Sequence, residues 1–281
     1  MGLGLNWSKN INKVLSLTPG TTELELTRAA WCNVYVSARE GEEYGTICGP
    51  AIARNKDGRV IVDGETGLPK FTDYNKVLGH ANWDWTGGLS TTLRYKMFTL
   101  TALFDIKVGA DVFSMSERSA FETGKSKQTL IGRAEWYASE EQRKAAGVDN
   151  ETQKWKATGG YLVDGVIENE DGTFRENDIY VNPEDYWMEV SRKSPEMFIY
   201  DNSYIKCREL TLTMDFPKNW LDKKGIIKHC SISFVARNPF TVWKNIPDID
   251  PDAQYNTSGY GLEYGSLPSR RSYGLNFNIK F

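Results

Sequence analysis

The last ten residues alternate strictly between apolar and polar side chains. The apolar positions are Tyr273, Leu275, Phe277, Ile279 and Phe281, and small or polar residues fill the positions between them. Successive side chains of a β-strand point to opposite faces, so the pattern predicts a strand with one apolar and one polar face. About 9–11 such residues, with aromatic rings near both ends, are typical of a strand that crosses a bilayer.

The same alternation predicts antiparallel hairpins elsewhere in the chain. The predicted pairs are 3–9 with 14–17, 86–95 with 98–107, 204–216 with 228–237, and 228–237 with the last strand at 271–281. Short turns near 10–13, 96–97 and 217–227 alternate with long connections at 18–85, 108–198 and 238–270. Outer-membrane barrels combine short periplasmic turns with long extracellular loops in this way.

The pattern therefore predicts an all-β fold: one curved, antiparallel, unclosed sheet of about seven to nine strands, a segment of a transmembrane β-barrel. Since the short turns then lie in the periplasm, the C-terminal Phe281 is predicted to end there as well. A soluble all-β carbohydrate-binding or structural module is the alternative, because it would share aromatic strands and turns. Two packed sheets around one core would distinguish that module from a single sheet with an apolar face.

Composition restricts the functional classes. The chain has 281 residues, a net charge of −3 and 40% hydrophobic residues. No apolar run approaches the ~18 residues of a spanning helix. Basic residues do not cluster with aromatic ones, so we expect no nucleic-acid partner. The first residues enter a predicted strand directly, without a signal peptide, and we interpret the sequence as part of a longer protein.

Candidate catalytic and metal-binding residues are few. His80 and His229 are the only histidines and stand far apart in the sequence, which argues against a histidine-based zinc site or a catalytic triad. Asp248, Asp250 and Asp252 have the opening spacing of a calcium loop, but Ala253 replaces the glycine that such a loop needs. We predict a protein without catalytic residues, metal or cofactor.

The four cysteines give weaker predictions. Cys207 and Cys230 lie on the two arms of one hairpin but several residues out of register, so both are predicted to be free thiols. Cys207 is predicted to share the polar face of its strand with Glu209. The sequence leaves open whether Cys32 and Cys48 form a disulfide.

Several stretches resemble the SusC/RagA family of TonB-dependent outer-membrane transporters. FIYDNSYIKCRELTL at 198–212 is similar to the family's YDASFIKLRELSL, and ARNPFTVW at 236–243 is similar to its RNLFT segment. GLEYGSLPSRRSYGL at 261–275 resembles its YGxxPxxRSFGFNL ending, and YNKVLGHANWDWTGGL at 74–89 resembles LGNANPDWTGGL. The likeness is weakest at 110–195.

This resemblance implies that residues 1–281 form the C-terminal part of a barrel of about 22 strands. The plug, the TonB-contacting segment and the signal peptide of such proteins would lie outside the sequence. Family members import glycan or peptide oligomers with a SusD-like lipoprotein, driven through TonB. The terminal strand, Tyr273 to Phe281, resembles the signal read by the barrel assembly machinery.

Aromatic residues in the long connections are the predicted ligand contacts. These residues are Trp83, Trp85, Trp136, Tyr137, Trp155, Tyr260 and Tyr264. Their rings suit sugar rings or apolar peptide side chains, and loops often carry binding residues. The same rings could equally hold the loops together.

Overall fold

A computed structural model describes residues 1–149, 155–221, 226–253 and 260–281. Within these ranges, none of the helices has the length and apolar character needed to cross a membrane.

The dominant element is a six-stranded antiparallel sheet. Its strands are, in sheet order, β1 (Gly2–Ser8), β7 (Trp85–Tyr95), β8 (Phe98–Val108), β15 (Tyr204–Asp215), β16 (His229–Lys244) and β18 (Ser272–Lys280). The two-residue turn between β7 and β8 is closed by Lys96 in the left-handed region, at φ 53°. Part of the turn between β15 and β16, Asp222–Gly225, lies outside the described residues. Both turns lie at one end of the sheet, and the long connections all start from the other end.

Residues that pair across neighbouring strands form rows of similar side-chain polarity, which run across the sheet. One row joins Leu93, Leu100, Leu212, Phe234 and Leu275, and the row beside it joins Arg94, Thr99, Thr213, Ser233 and Asn276. Directly paired residues point to the same face, so the sheet has an apolar face and a polar face. The alternation seen in single strands is thus maintained across the whole sheet.

Aromatic residues mark both ends of the apolar face. Trp7 and Trp243 occupy a row near the long connections, which crosses β7 at Gly87. Tyr95 and Phe98 begin a row at the short turns. The segment of β7 from Gly87 to Tyr95 spans about 27 Å at ~3.4 Å per residue, which is the length of a tilted membrane-crossing strand. The apolar face therefore has the form of a lipid-facing band between two aromatic girdles.

The long connections fold into a second region, which we call the cap: the described residues within 9–84, 109–203 and 245–271. Its strands are β2 (Glu23–Ala29), β3 (Val34–Arg39), β4 (Thr46–Gly49), β5 (Val60–Val62), β6 (Lys76–His80), β9 (Asp111–Ser114), β10 (Tyr161–Leu162), β11 (Gly165–Glu168), β12 (Phe174–Glu176), β13 (Tyr180–Val181), β14 (Ile199–Asp201) and β17 (Leu262–Glu263). Its helices are α1 (Met115–Glu122), α2 (Arg133–Ala145) and α3 (Pro183–Lys193). Short 3₁₀ turns lie at Ala30–Cys32, Lys127–Leu130 and Glu196–Phe198 within the cap, and at Lys218–Trp220 beside the sheet.

The hydrophobic core of the described chain lies in the cap. Phe113, Phe121, Trp187, Val190 and Phe198 pack there with residues of the strands around β3 and β4. The six-stranded sheet contributes no residue to this core. Two sheets packed around one core, as expected of a soluble module, are therefore not seen in the described part of the chain.

Three expectations about strands are wrong. The sheet has six strands rather than seven to nine, because the strands of the long connections form small separate sheets in the cap. Residues 14–17 form no strand. Val14 instead exchanges backbone hydrogen bonds with Gly41 and Glu42, and β1 pairs with β7, which offers a longer partner. Finally, β16 continues beyond residue 237 to Lys244.

The position of Cys207 also differs from expectation. A β-bulge between Cys207 and Glu209 shifts the register, so Cys207 pairs with Phe104 on the apolar side of the sheet. Alternation across the bulge would have placed it with Glu209. All four cysteines are free thiols, as predicted for Cys207 and Cys230, and the open question about Cys32 and Cys48 is answered in the same way.

Candidate functional site

A network of buried and partly buried charges joins the cap to the sheet. Lys206 and Arg208 extend from β15, and Asp250 and Asp252 lie on the cap segment that follows β16. Lys206 Nζ lies 2.9 Å from Asp250 Oδ1 and 2.7 Å from Asp252 Oδ2. Arg208 donates to Asp252 and, at 2.6 Å, to Asp105 on β8. The cap segment is thereby attached to the polar face of the sheet, because Lys206 and Asp105 share one row.

The two aspartates that the cap contributes to this network, Asp250 and Asp252, are held ionised. Burial alone would raise the pKa of Asp252, but hydrogen bonds from Arg208 and Lys206 outweigh burial and lower it. Burial likewise opposes ionisation of Asp250, whose pKa is lowered by hydrogen bonds from Ser269, Asp252 and Lys206. Protein cations thus neutralise two of the three carboxylates that suggested a calcium loop. No metal-binding group of three or more ligands occurs within the described residues.

A cleft of about 240 Å³ opens beside this network, between the cap and the sheet. Its walls include Trp83, Lys107, Tyr204 and Tyr260. The ring of Trp83 meets that of Tyr204 edge to face, with centroids 5.8 Å apart. The Lys107 ammonium lies 5.5 Å from the centre of the Trp83 ring and 5.9 Å from that of Tyr204. Tyr260 donates a hydrogen bond to the side chain of Asn82, which also lines the cleft.

The backbone around Trp83 is fixed by a close contact. Gly109, just after β8, has a φ of +92°, and a Cβ added there would lie 2.1 Å from Asp84 Oδ2. Only glycine allows this approach, which fixes the segment before β7 against the end of β8. Gly109 N also donates to Ser203 Oγ at 2.9 Å. Trp83 is thus held at the point where three strands of the sheet meet the cap.

The cleft offers recognition chemistry. Aromatic faces, an ammonium group and an amide surround it, which suits a ligand that combines an apolar face with hydrogen-bonding groups. A nucleophile with an adjacent base is absent from its described walls.

The structure separates the predicted ligand-contact residues. Trp83 and Tyr260 meet in the cleft, whereas Trp136 and Tyr137 line a different cavity in the cap. Trp85 begins β7, and Trp155 donates a hydrogen bond to Ser139 on α2 at 3.4 Å.

Tyr264 follows β17 and lies near Cys32 and Arg118 in the cap, where burial raises the pKa of its hydroxyl. The seven residues therefore do not form one site.

Comparison with known proteins agrees with this architecture. The chain is 22% identical to TonB-dependent receptor P3 of Formosa agariphila over 304 aligned positions, which cover 98% of the chain. Two structures of the RagAB peptide transporter, one of them in its closed-closed state, match 99% of the chain with a TM-score of 0.58 at 15% identity. The open-open state matches with a TM-score of 0.57. No family model matches the chain.

The predicted resemblance to TonB-dependent transporters is confirmed. The six-stranded sheet accordingly has the fold of a segment of such a transporter barrel, and the cap is formed by its long connections. The chain spans 26% of the length of the curated relative and 26% of the matched RagAB chain.

Sequence reasoning missed four residues of the site. Tyr204, Lys206 and Arg208 lie in the stretch that carries the family likeness, but the bulge after Cys207 disturbs the alternation that would have assigned their faces. Lys107 was placed only as the end of a strand. One signal in the sequence could have identified these residues: charged side chains within a predicted membrane strand. Such side chains need partners on the polar face of the sheet.

Proposed function

We propose that this chain forms part of the wall and outer cap of a TonB-dependent active importer in the bacterial outer membrane. The importer takes up glycan or peptide oligomers. Residues 1–281 belong to the C-terminal part of the barrel domain in this proposal. The apolar face between its two aromatic girdles supports the proposal most directly, since a lone sheet with such a face needs lipid against it.

The orientation follows from the connections. Barrels of this type have short turns in the periplasm and long loops outside, so the cap faces the exterior and Phe281 ends on the periplasmic side. The proposed partners are the remainder of the barrel and its plug, a SusD-like lipoprotein over the cap, TonB, and the barrel assembly machinery. The matched structures are those of a peptide transporter, and the relative matched by sequence is a receptor, which favours transport over catalysis.

Ligand contact is proposed for the cleft. Trp83 and Tyr260 present rings at the outer mouth of the sheet, directly above the polar face that would line the lumen. An incoming oligomer would meet these rings before it reaches the row of Asp105 and Lys206. The five remaining predicted contacts are secondary candidates for this site because they lie outside the cleft: Trp85, Trp136, Tyr137, Trp155 and Tyr264.

Uptake of a fluorescent oligomer by cells that produce the complete transporter tests the proposal. Uptake should disappear in cells without TonB. Trp83→Ala should weaken ligand binding by about tenfold at unchanged surface abundance, because a truncated aromatic anchor commonly costs more than 1 kcal/mol. Trp31→Ala is the matched control, since Trp31 is an exposed cap tryptophan away from the cleft.

Uptake that persists without TonB would contradict the proposed function. Equal ligand binding by the wild type and Trp83→Ala would reject the cleft as the contact site and leave the transport proposal standing.

A further inference from the structure

A cavity of about 330 Å³ lies among the three helices of the cap. It opens between the end of α1, the first turns of α2 and the start of α3. This place is separate from the Trp83 cleft, with which it shares no lining residue. The volume falls at the lower end of the range of small-ligand pockets, about 300–1,000 Å³.

Four aromatic side chains form the walls of the cavity. Phe121 and Trp187 are buried at its base, with ring centroids 4.9 Å apart. Trp136 and Tyr137 stand on α2 at the side, and Tyr137 is 69% exposed. A ligand that entered would therefore lie against aromatic faces that protein contacts already hold in place.

The ring of Trp136 is fixed by the backbone beside it. Gly160 has a φ of +151°, and a Cβ there would lie 2.9 Å from Trp136 Cε3 and 2.6 Å from the Val181 carbonyl oxygen. The segment before β10 thus packs directly on the indole. A preformed wall reduces the entropy that ligand binding must overcome.

Of the charged groups that line the cavity, Glu122 already has oppositely charged partners. Both oxygens of Glu122 accept from arginines, Oε1 from Arg192 and Oε2 from Arg118, each at 2.9 Å. Arg133 donates to the Thr129 carbonyl and hydroxyl, each at 2.6 Å, and has no carboxylate partner among the described residues. Glu184, in the first turn of α3, places one exposed carboxylate at the rim. The opposite charges of Arg133 and Glu184 leave the cavity close to neutral.

We propose that this cavity binds one ring of a neutral saccharide. A pyranose ring has an apolar C–H face that stacks on an aromatic wall, and its hydroxyls both donate and accept, which suits Glu184 and Arg133 together. An ionic ligand would be attracted by one of these two groups and repelled by the other, so the nearly neutral cavity gives it no net electrostatic stabilisation. A wholly apolar peptide side chain would remove water from Arg133 and Glu184 without offering a hydrogen bond in return. Such desolvation of charged groups costs free energy.

The inference rests on the proposed function, since it names the class of ligand that the importer would take. It concerns a part of the chain, 110–195, where the sequence resemblance to the SusC/RagA family is weakest. The cavity is built almost entirely from that part. It would therefore contribute selectivity particular to this protein.

Calorimetric titration of the complete transporter in detergent tests the proposal without requiring transport. The probes are maltohexaose, cellohexaose, laminarihexaose, xylohexaose and mannohexaose, each compared with a mixture of hexapeptides. At least one saccharide should bind. Trp136→Ala should weaken that binding by about tenfold or more, Trp136→Phe should retain most of it because a ring remains, and Trp31→Ala should have no effect.

Equal saccharide binding by the wild type and Trp136→Ala would overturn the proposal. The proposal would also fail if Trp136→Phe and Trp31→Ala weakened saccharide binding as much as Trp136→Ala does. Binding of peptides with no binding of any saccharide would also overturn it, yet would leave TonB-dependent import intact. Failure of the import function itself would appear separately, as uptake that does not depend on TonB.

Discussion

The sheet and the cap are stabilised in different ways. Leu212, Phe234 and Phe277 of the sheet are 45%, 44% and 65% exposed, whereas Phe113, Val190 and Phe198 of the cap are fully buried. The cap thus has a core like that of a globular protein. The sheet has continuous backbone pairing and an apolar surface that only lipid or another protein surface can cover. One chain therefore contains one region that buries its apolar side chains and one region that leaves them exposed.

The two regions are connected through charge. Asp250 and Asp252 of the cap reach the polar face of the sheet and meet Lys206, whose side chain is 3% exposed. Ion pairs at this depth hold a fixed geometry, since removal of one partner leaves a buried charge without compensation. The network therefore determines where the cap segment after β16 lies on the sheet.

Truncation of the cap core should have the largest effect. Trp187 contacts Phe121, Tyr161 and Tyr186 and is buried. Trp187→Ala should destabilise the cap by about 3–5 kcal/mol, the usual cost of removing a large core aromatic. Hydrogen exchange of the complete transporter should show faster exchange in α1 and α3 while β7 and β8 stay protected. Uniform loss of protection in both regions would contradict their independence, and Trp31→Ala should leave exchange unchanged.

Loss of an ion-pair partner should detach the cap segment locally. Asp252→Asn removes the carboxylate that Lys206 and Arg208 share, at a cost of about 1–3 kcal/mol, because Asp250 and Asp105 remain as their partners. Protease cleavage after residue 245 should become faster, whereas Asp57→Asn, on an exposed cap turn, should not change the rate. Equal cleavage rates would assign the network a minor role.

The pH dependence of this attachment has a defined sign. Because the pKa of Asp252 is lowered in the folded state, its contribution is present above the ordinary aspartate pKa of about 3.9 and is lost only as the pH falls through the lowered value. The wild-type cleavage rate should therefore not change between about pH 5 and 8. A rate that rises steeply within that window would contradict the lowered pKa.

An arginine introduced on one or the other face of a single strand tests which face contacts lipid and which face lines the lumen. Leu212→Arg lies on the apolar face and should cost about 2–4 kcal/mol of folding free energy in lipid. Thr211→Arg, one residue earlier, lies on the polar face and should cost much less. Folding of the complete transporter into liposomes across a urea series measures both variants. Similar losses would show that the apolar face does not meet lipid.

The smallest effect is expected at the end of the chain. Tyr273, Leu275, Phe277, Ile279 and Phe281 are proposed to guide barrel assembly, and all five are exposed at the edge of the sheet. Phe281→Ser should lower the amount of transporter in the outer membrane by about twofold, because it removes one apolar contact of several. Asn278→Ser, on the opposite face, provides the control, and unchanged abundance of both variants would count against the signal.

The sequence predicted the barrel strands well and the cap poorly. The hairpins at 86–107 and 204–237 and the pairing of the last strand are confirmed, because alternation over nine or more residues specifies both strand and face. The short segment 14–17 carried too few residues to distinguish a strand from an apolar loop. Of the candidate site, Trp83 and Tyr260 were anticipated, and Tyr204 and Lys107 were not.

The alternation of apolar and polar residues by itself determined that the chain forms membrane-type strands, because a period of two is a local property of the backbone. Tertiary structure alone decided that the connections fold around their own core and that Trp136 and Trp83 serve different cavities. It also decided, through the bulge after Cys207, which charges on β15 meet the cap. These features depend on contacts between residues more than 40 positions apart, such as Lys206 with Asp250 and Asp252, which no local pattern encodes.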